Sequence, residues 1–348
     1  MSTFKKYFLL IAILISVSLA SISVSNLSAA ENAEIEPIQI KNPGTDLWRA
    51  VRQRNQEVEG KSQIKSLKAG TLIDNKGYLW RQFRSKWLLP YGGYFILGVL
   101  ALLLLLKIII RKVRIPGGRS GKKVSRMSIM QRIAHWFLVS IVTFMALTGL
   151  ILLFGRIIFI PYISAEGFSP IASASKEGHN LFGPLLVIAL LMMLVYFIRY
   201  NWPAKVDFKW LVTLGGLLSK KHLKVGFFNA GEKLLYWGVI LLGIALSITG
   251  LILLFPFLEL EAKWLQVVIA IHAIAALLLI AAAFAHIWMV VTLEGTIDAM
   301  TQGEVDENWA KAHHSLWYEE LQQHQGTGPT TGMDQEPTSV ATTQEKTV

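Results

Sequence analysis

The chain has 348 residues, 53% of them hydrophobic and 16% charged, which is too apolar for an ordinary soluble domain. Its formal charge of +11 gathers at the ends of the apolar runs, the pattern of membrane topology and not of a nucleic-acid-binding face. With no cysteine, disulfides, iron–sulfur ligation and thioether-linked haem are excluded, so a metal has to be held by histidine or carboxylate.

Residues 1–30 read as a secretory signal. Lys5 and Lys6 precede an apolar stretch from Tyr7, and Ser28-Ala29-Ala30 offers small residues before Glu31; an uncleaved anchor is the alternative. Residues 31–88 then emerge in the periplasm. Trp48, Trp80 and Trp87 are the main apolar anchors of this polar segment, too few for a core of its own. Five runs follow that reach the roughly 20 apolar residues a membrane helix needs: Pro90–Ile110, Ile133–Phe154, Leu181–Tyr200, Leu234–Phe257 and Trp264–Thr292. The first, at 89–111, is an additional helix before a four-helix unit at 125–300.

Loop charge sets the orientation. Arg111 to Arg132 carries eight Lys/Arg and Arg199 to Lys233 seven, whereas Arg156 to Lys176 carries two and Leu258 to Lys263 one. The basic connections belong in the cytoplasm, which puts residues 31–88 outside it and the C-terminus inside. Trp136, Tyr200, Trp202, Trp210, Tyr236, Trp237 and Trp264 sit near run ends, as interfacial belts require. Residues 301–325 read as a cytoplasmic docking segment, and residues 326–348 as a disordered tail of low apolar content.

The second and fourth runs look like one unit used twice. Leu147–Phe154 reads LTGLILLF and Ile248–Phe255 reads ITGLILLF, 101 residues later, and at the same offset Arg132-Ile-Ala-His135-Trp136 meets Lys233-Leu-Leu-Tyr236-Trp237.

Of eight histidines, His135, His179, His272 and His286 lie in or at the edge of the apolar runs, where an ionisable side chain is costly and marks function. A neutral histidine bonded to a neighbouring helix is the plain reading for any one of them. His272 and His286 are 14 residues apart on one run; that is about 21 Å along a helix and close to four full turns, so they share a face at two depths. His135 enters its run from the cytoplasmic side and His179 from the periplasmic side. His286 therefore pairs with His135, and His272 with His179. Two bis-histidine sites without cysteine suit two non-covalent b-type haems. Gly149, Gly183 and the alanines between His272 and His286 would let a planar group approach, although small residues also serve ordinary helix packing.

The segments RIAHW, EGHNLFG, NAGEKLLYW, the His272–His286 spacing and GTIDAMTQGEVDENWAKAHHSLWY resemble the gamma (cytochrome b) subunit of membrane-bound formate dehydrogenases over about residues 125–320. The resemblance implies an all-α integral membrane protein, a four-helix di-haem cytochrome b bundle, here with one additional N-terminal transmembrane helix. It implies haem ligation by His135, His179, His272 and His286, with Asn229 at a quinone pocket beside the cytoplasmic haem. It also implies a periplasmic iron–sulfur beta subunit and a molybdo- or tungsto-enzyme alpha subunit as partners. Formate chemistry would then lie elsewhere, with electrons passing across the bacterial inner membrane to menaquinone or ubiquinone. Asn229 is equally placed to cap the helix that follows. Arg126 and Arg132 are candidates for haem propionates, and as cytoplasmic-loop residues they equally satisfy the positive-inside rule. The periplasmic WRQFR and the AHHSLWY near the C-terminus are docking elements or interfacial anchors.

Two competing readings remain at this point. One is the cytochrome b subunit of a membrane hydrogenase or another molybdoenzyme, which shares the architecture. The other, of a different class, is a transporter or assembly anchor using the histidines as a proton relay. It expects intramembrane carboxylates, and the four core runs hold none.

Overall fold

A computed structural model describes residues 43–53, 58–59, 71–73, 75–110, 112–213, 224–255 and 260–326. The expected signal at 1–30 and the tail beyond 326 lie outside the described residues. A short helix α1 (Pro43–Gln53) and a two-stranded ladder, β1 (Val58–Glu59) against β2 (Thr71–Ile73), precede the membrane part.

Among the described residues five helices are long and apolar enough to cross a membrane: α2 (Lys76–Ile109), α3 (Ile129–Ile158), α4 (Ile160–Phe197, extended by a 3₁₀ turn at Ile198–Tyr200), α6 (Ala230–Leu254) and α7 (Ala262–Thr292). In hydrocarbon every backbone N–H and C=O has to bond within its own segment, which leaves helices as the solution for runs like these. Between α4 and α6 lies α5 (Lys205–Val212).

Helix α3 packs along α4, α6 along α7, and α4 against α6, while α2 touches the bundle through α7. The close crossings need glycine. A Cβ on Gly243 of α6 would stand 2.6 Å from Leu190 of α4, and one on Gly178 of α4 would stand 2.9 Å from the Phe144 ring of α3. Small residues let backbones approach where lipid supplies no hydrophobic drive. Away from these crossings the surface is apolar: Leu104 and Ile108 of α2 are 64% and 72% exposed, as lipid-facing side chains are.

Two elements extend beyond the hydropathy runs. Helix α2 begins at Lys76, well before Pro90, and passes through a π-helical turn at Arg84–Leu88, where the Leu89 N–H bonds the Arg84 carbonyl. Helix α4 starts at Ile160 and turns at Ser164 (φ 62°, ψ 173°) before continuing through the polar stretch ahead of His179. Hydropathy sees only the apolar part of each, whereas backbone hydrogen bonding carries the helix through the polar part.

Helices α3 and α6 start alike. Ser128 caps α3, accepting from the Gln131 N–H while the Gln131 side chain accepts from the Ser128 N–H. Asn229 and Glu232 make the same reciprocal box on α6. These pairs lie at the 101-residue offset of the repeat.

The basic connections converge on one end of the bundle, where a small cap closes it. There β3 (Lys123–Ser125) pairs antiparallel with β4 (Glu304–Asp306), and α8 (Asp298–Thr301), α9 (Glu307–His313) and α10 (Ser315–Gly326) complete the cap. Its centre is Arg126. The guanidinium donates to the Phe227 carbonyl at 2.6 Å, lies 3.2 Å from His314 Nε2, and stands within 6 Å of the Phe227, Phe228, Trp309 and Trp317 rings. Burial pushes Arg126 down to about 10, against the opposing charge of Glu232, so it stays charged at neutral pH. His314, 1% exposed, has its Nδ1 2.9 Å from the Gly226 carbonyl. A carbonyl only accepts, so Nδ1 carries the proton and Nε2 accepts from Arg126.

Burial, and then the Arg126 charge, hold His314 well below its usual range, with the Gly226 bond opposing and the nearby His313 adding a little. The folded cap therefore refuses a proton that an opened chain takes up below about pH 6.5, and stability falls as pH drops through that value. Hydrogen-exchange protection of residues 305–318 should decrease between pH 7.5 and 5.5. The decrease should vanish in His314→Gln; a flat profile in the unmodified protein would show that His314 is not what the cap responds to.

Candidate functional site

The four intramembrane histidines occupy three helices. His135 lies on α3, His179 on α4, and His272 and His286 on α7; all four are half-buried. The structure gathers them into two pairs. The His135 and His286 ring centroids are 6.4 Å apart near the capped end, and those of His179 and His272 are 6.2 Å apart toward the other end.

Thr148 and Thr249 orient the second pair. Thr148 Oγ1 lies 2.9 Å from His179 Nδ1 and 2.8 Å from the Phe144 carbonyl. Thr249 Oγ1 lies 2.8 Å from His272 Nδ1 and 2.6 Å from the Ala245 carbonyl. Each hydroxyl has one proton and gives it to the carbonyl, so it accepts from the imidazole. Both rings are thereby set as Nδ1–H tautomers, and Nε2 is left with its lone pair free as a ligand.

The adjacent glycines complete the seat. A Cβ on Gly149 would lie 3.3 Å from His179 Cε1, and one on Gly250 3.4 Å from His272 Cε1. Thus each Thr-Gly of the internal repeat cradles one histidine of a single pair. The sequence pointed to Gly149 but missed both threonines. Their signal was the TG dipeptide at the same place in both copies, readable only once the histidines facing it are known.

A cavity of about 480 Å³ opens at this level, lined by His179, His272, Gly149, Gly250, Ser247 and Pro184, and falls within the range of sites that enclose cofactor-sized molecules. Pro184 has no N–H to give the Asn180 carbonyl, which loosens α4 one turn past His179. Ser247 Oγ is buried with no protein partner among the described residues.

The pair at the capped end is built differently. Nδ1 of His135 and Nδ1 of His286 are both buried without a hydrogen-bond partner among the described residues. The repeat puts Tyr236 of α6 where α3 has His135; its hydroxyl is likewise buried and without a partner among the described residues.

These pairs fit an iron held in a planar macrocycle. Two imidazole nitrogens each about 2 Å from a shared metal put ring centroids about 6 Å apart, close to the separations observed. Among the described residues no three His, Cys, Asp or Glu side chains gather to hold a metal ion. A bare zinc site needs three or four protein ligands; haem iron needs only the two axial ones.

The other candidate residues divide. Arg126 is enclosed in its aromatic cage. Arg132 donates to the Thr301 carbonyl at 2.9 Å, while its Nε is buried without a partner among the described residues. Asn229 is the N-cap of α6, its Oδ1 3.0 Å from the Glu232 N–H. Phe227 stacks on Tyr200, with ring centroids 4.3 Å apart, and stands edge-on to Phe228. Sequence reading overlooked Glu232 and His314, 3.8 Å apart behind Asn229.

The family described as prokaryotic cytochrome b561 matches residues 126–303. The cytochrome b556(Fdn) subunit of the nitrate-inducible formate dehydrogenase of Escherichia coli (strain K12) is 31% identical over 208 residues, which are 58% of this chain and 93% of that protein. The formate dehydrogenase cytochrome b556 subunit of Haemophilus influenzae is 28% identical over 203 residues, 57% of this chain and 83% of the relative. The cytochrome b556(fdo) subunit of Escherichia coli K12 is 25% identical over 201 residues, 57% and 93%.

Thr148→Val and Thr249→Val each remove one acceptor while keeping a β-branched shape. Each should weaken cofactor binding at the His179/His272 pair about tenfold or more, the usual cost of losing an outer-shell partner of a metal ligand. The measurement is the loss of one visible absorption component with helical circular dichroism unchanged. Full retention of both components would show that packing alone holds the rings.

Proposed function

The chain belongs to the prokaryotic cytochrome b561 family, and on that premise we propose that it is the di-haem membrane subunit of a formate dehydrogenase, carrying electrons from a periplasmic partner to quinone at the cytoplasmic side. The carrying observation is the geometry of two facing histidine pairs, 6.2 and 6.4 Å between ring centroids, stacked along one bundle of membrane helices. A b-type haem at each pair would supply reversible one-electron transfer.

The chain's own residues do the rest. His179 and His272 present Nε2 at one depth, locked by Thr148 and Thr249, and His135 with His286 does so at the other. Apolar helices exclude water and ions between the two depths, so charge crosses the membrane as electrons, each worth about 2.3 kcal/mol per 100 mV. The charge of the basic loops supports a capped end in the cytoplasm and the segment before α2 in the periplasm. An iron–sulfur beta subunit would meet the periplasmic face, and the alpha subunit behind it would carry the formate chemistry. The names of the relatives favour this reading over a hydrogenase partner.

Quinone is proposed to bind at the cytoplasmic end beside Asn229. Capping uses the Asn229 Oδ1 and backbone N–H; the Nδ2 amide keeps two donors for a quinone carbonyl. Glu232 lies behind it as a carboxyl group able to hold or pass the protons that quinone reduction consumes.

Purified protein should contain two acid-extractable b haems. His135→Ala or His286→Ala should remove one spectral component, and His179→Ala or His272→Ala the other; loss of the same component in His135→Ala and His179→Ala would break the pairing.

The quinone site has a separate test. Asn229→Asp keeps the cap, since aspartate and asparagine serve equally there, and removes the amide donors. Haem content and dye reduction should persist while quinone reduction falls about tenfold, as expected when a hydrogen bond worth about 1.4 kcal/mol to the reacting group is lost. Unchanged quinone kinetics would leave Asn229 as a helix cap.

A further inference from the structure

Helix α2 lies outside the span matched by the family, yet two of its side chains, Trp80 and Arg84, line the cavity between His179 and His272. We infer that Arg84 is the cation for the acidic edge of the group held by that pair, so that the additional helix is a wall of the site and not merely an anchor. The inference rests on the two-haem reading and extends it to a residue of the added segment.

Several observations converge. Gln266 of α7 reaches the Lys76 carbonyl at 3.5 Å, and a Cβ on Gly92 would stand 2.8 Å from Leu277 of α7. Arg84 is midway between Lys76 and Gly92, and His272 is about midway between Gln266 and Leu277. The two contacts thus hold Arg84 at the depth of His272.

The π-helical turn at Arg84–Leu88 supplies the aim. Inserting one residue into a turn rotates the following helix relative to the preceding one, and such turns recur at functional sites. Here the rotation lets Trp80 and Arg84, one turn apart, face the cavity while Leu88 on the far side of the turn is buried at 6% exposure. Arg81 instead is exposed.

Arg84 is half-buried and has no ion-pair or hydrogen-bond partner among the described residues. A guanidinium beside apolar helices is costly when alone and favourable when it meets a carboxylate, whose geometry its planar fork matches. Haem is the ligand of this fold that carries carboxylates, on its two propionates. Cavity-lining carboxylates are lacking among the protein's own side chains, since Asp and Glu are missing from the lining. Ser247 Oγ, buried without a partner on the same cavity, adds a hydroxyl for the same edge.

A cation lining that cavity also sets redox behaviour. Oxidising the iron adds one positive charge, which a nearby guanidinium disfavours, so Arg84 raises the midpoint potential of its own haem and leaves the distant one unmoved.

The experiment is a spectroelectrochemical titration of the full complex in nanodiscs, comparing Arg84→Gln, Arg84→Lys and Arg81→Gln with the unmodified protein. The haem component that His179→Ala removes identifies the site. In Arg84→Gln that component should show about a tenfold lower reduced-to-oxidised ratio at fixed potential, equivalent to about 59 mV for one electron. Arg84→Lys should retain most of the original value, and Arg81→Gln all of it. An unmoved titration in Arg84→Gln would overturn the inference, as would an equal shift of both components. A shift seen in nanodiscs of anionic lipid but not of zwitterionic phosphatidylcholine would overturn it too, by making a net-anionic lipid headgroup the partner of Arg84. Two wild-type components with an unmoved Arg84→Gln would sink this inference alone, whereas a single wild-type component would sink the two-haem reading beneath it.

Discussion

An imidazole placed among lipid-facing helices has two nitrogens to satisfy and no water to satisfy them. This constraint organises the bundle. At the His179/His272 pair, one nitrogen of each ring is held by a threonine hydroxyl that is itself tied to its own helix. The other nitrogen then keeps its lone pair free, with the two ring centroids 6.2 Å apart. Holding the Nδ1 atoms this way needs α3 and α6 at fixed rotations, the glycines beside the threonines to admit the rings, and close crossings between α4 and its neighbours. The packing of Gly243 on Leu190 and Gly178 on Phe144 therefore serves the site as much as the fold.

Two starts and two seats show how the repeat is used. Helices α3 and α6 each begin with a reciprocal capping box, each plant a tryptophan indole on a backbone carbonyl, Trp136 on Met300 and Trp237 on Asn201, and each end near a Thr-Gly seat. The copies differ where chemistry is required: His135 stands in one and Tyr236 in the other. One copy thus provides a histidine and a seat, and the second a seat alone. The far pair is braced symmetrically and the near pair is not, which gives the two centres different surroundings from a nearly symmetric scaffold.

Much of this was legible in the sequence. Spans followed from hydropathy because lipid imposes one backbone solution, and the depth order of the histidines followed from helical rise and loop charge. The rest depended on tertiary contact. Arg126 looked like any residue of a basic loop, since four aromatic rings from three separate segments form its cage. Arg84 sat in a stretch that hydropathy assigned to the exterior, and only the continuation of α2 back to Lys76 carries it into the bundle. Asn229 was readable as a cap from its spacing to Glu232, but His314 behind that cap comes from a segment 85 residues further on, a proximity no local pattern encodes.

Helix α7 bears one histidine of each pair, and it leaves the ribosome after the other four described membrane helices. Helices α3 and α4 can pack as a hairpin early, with one histidine each, but neither centre closes until α7 has inserted in register with both. A slip of α7 by one residue would rotate His272 and His286 away from their partners together. On the two-haem proposal, cofactor capture would report on the whole bundle at once, as a clasp that fastens only a correctly completed membrane domain.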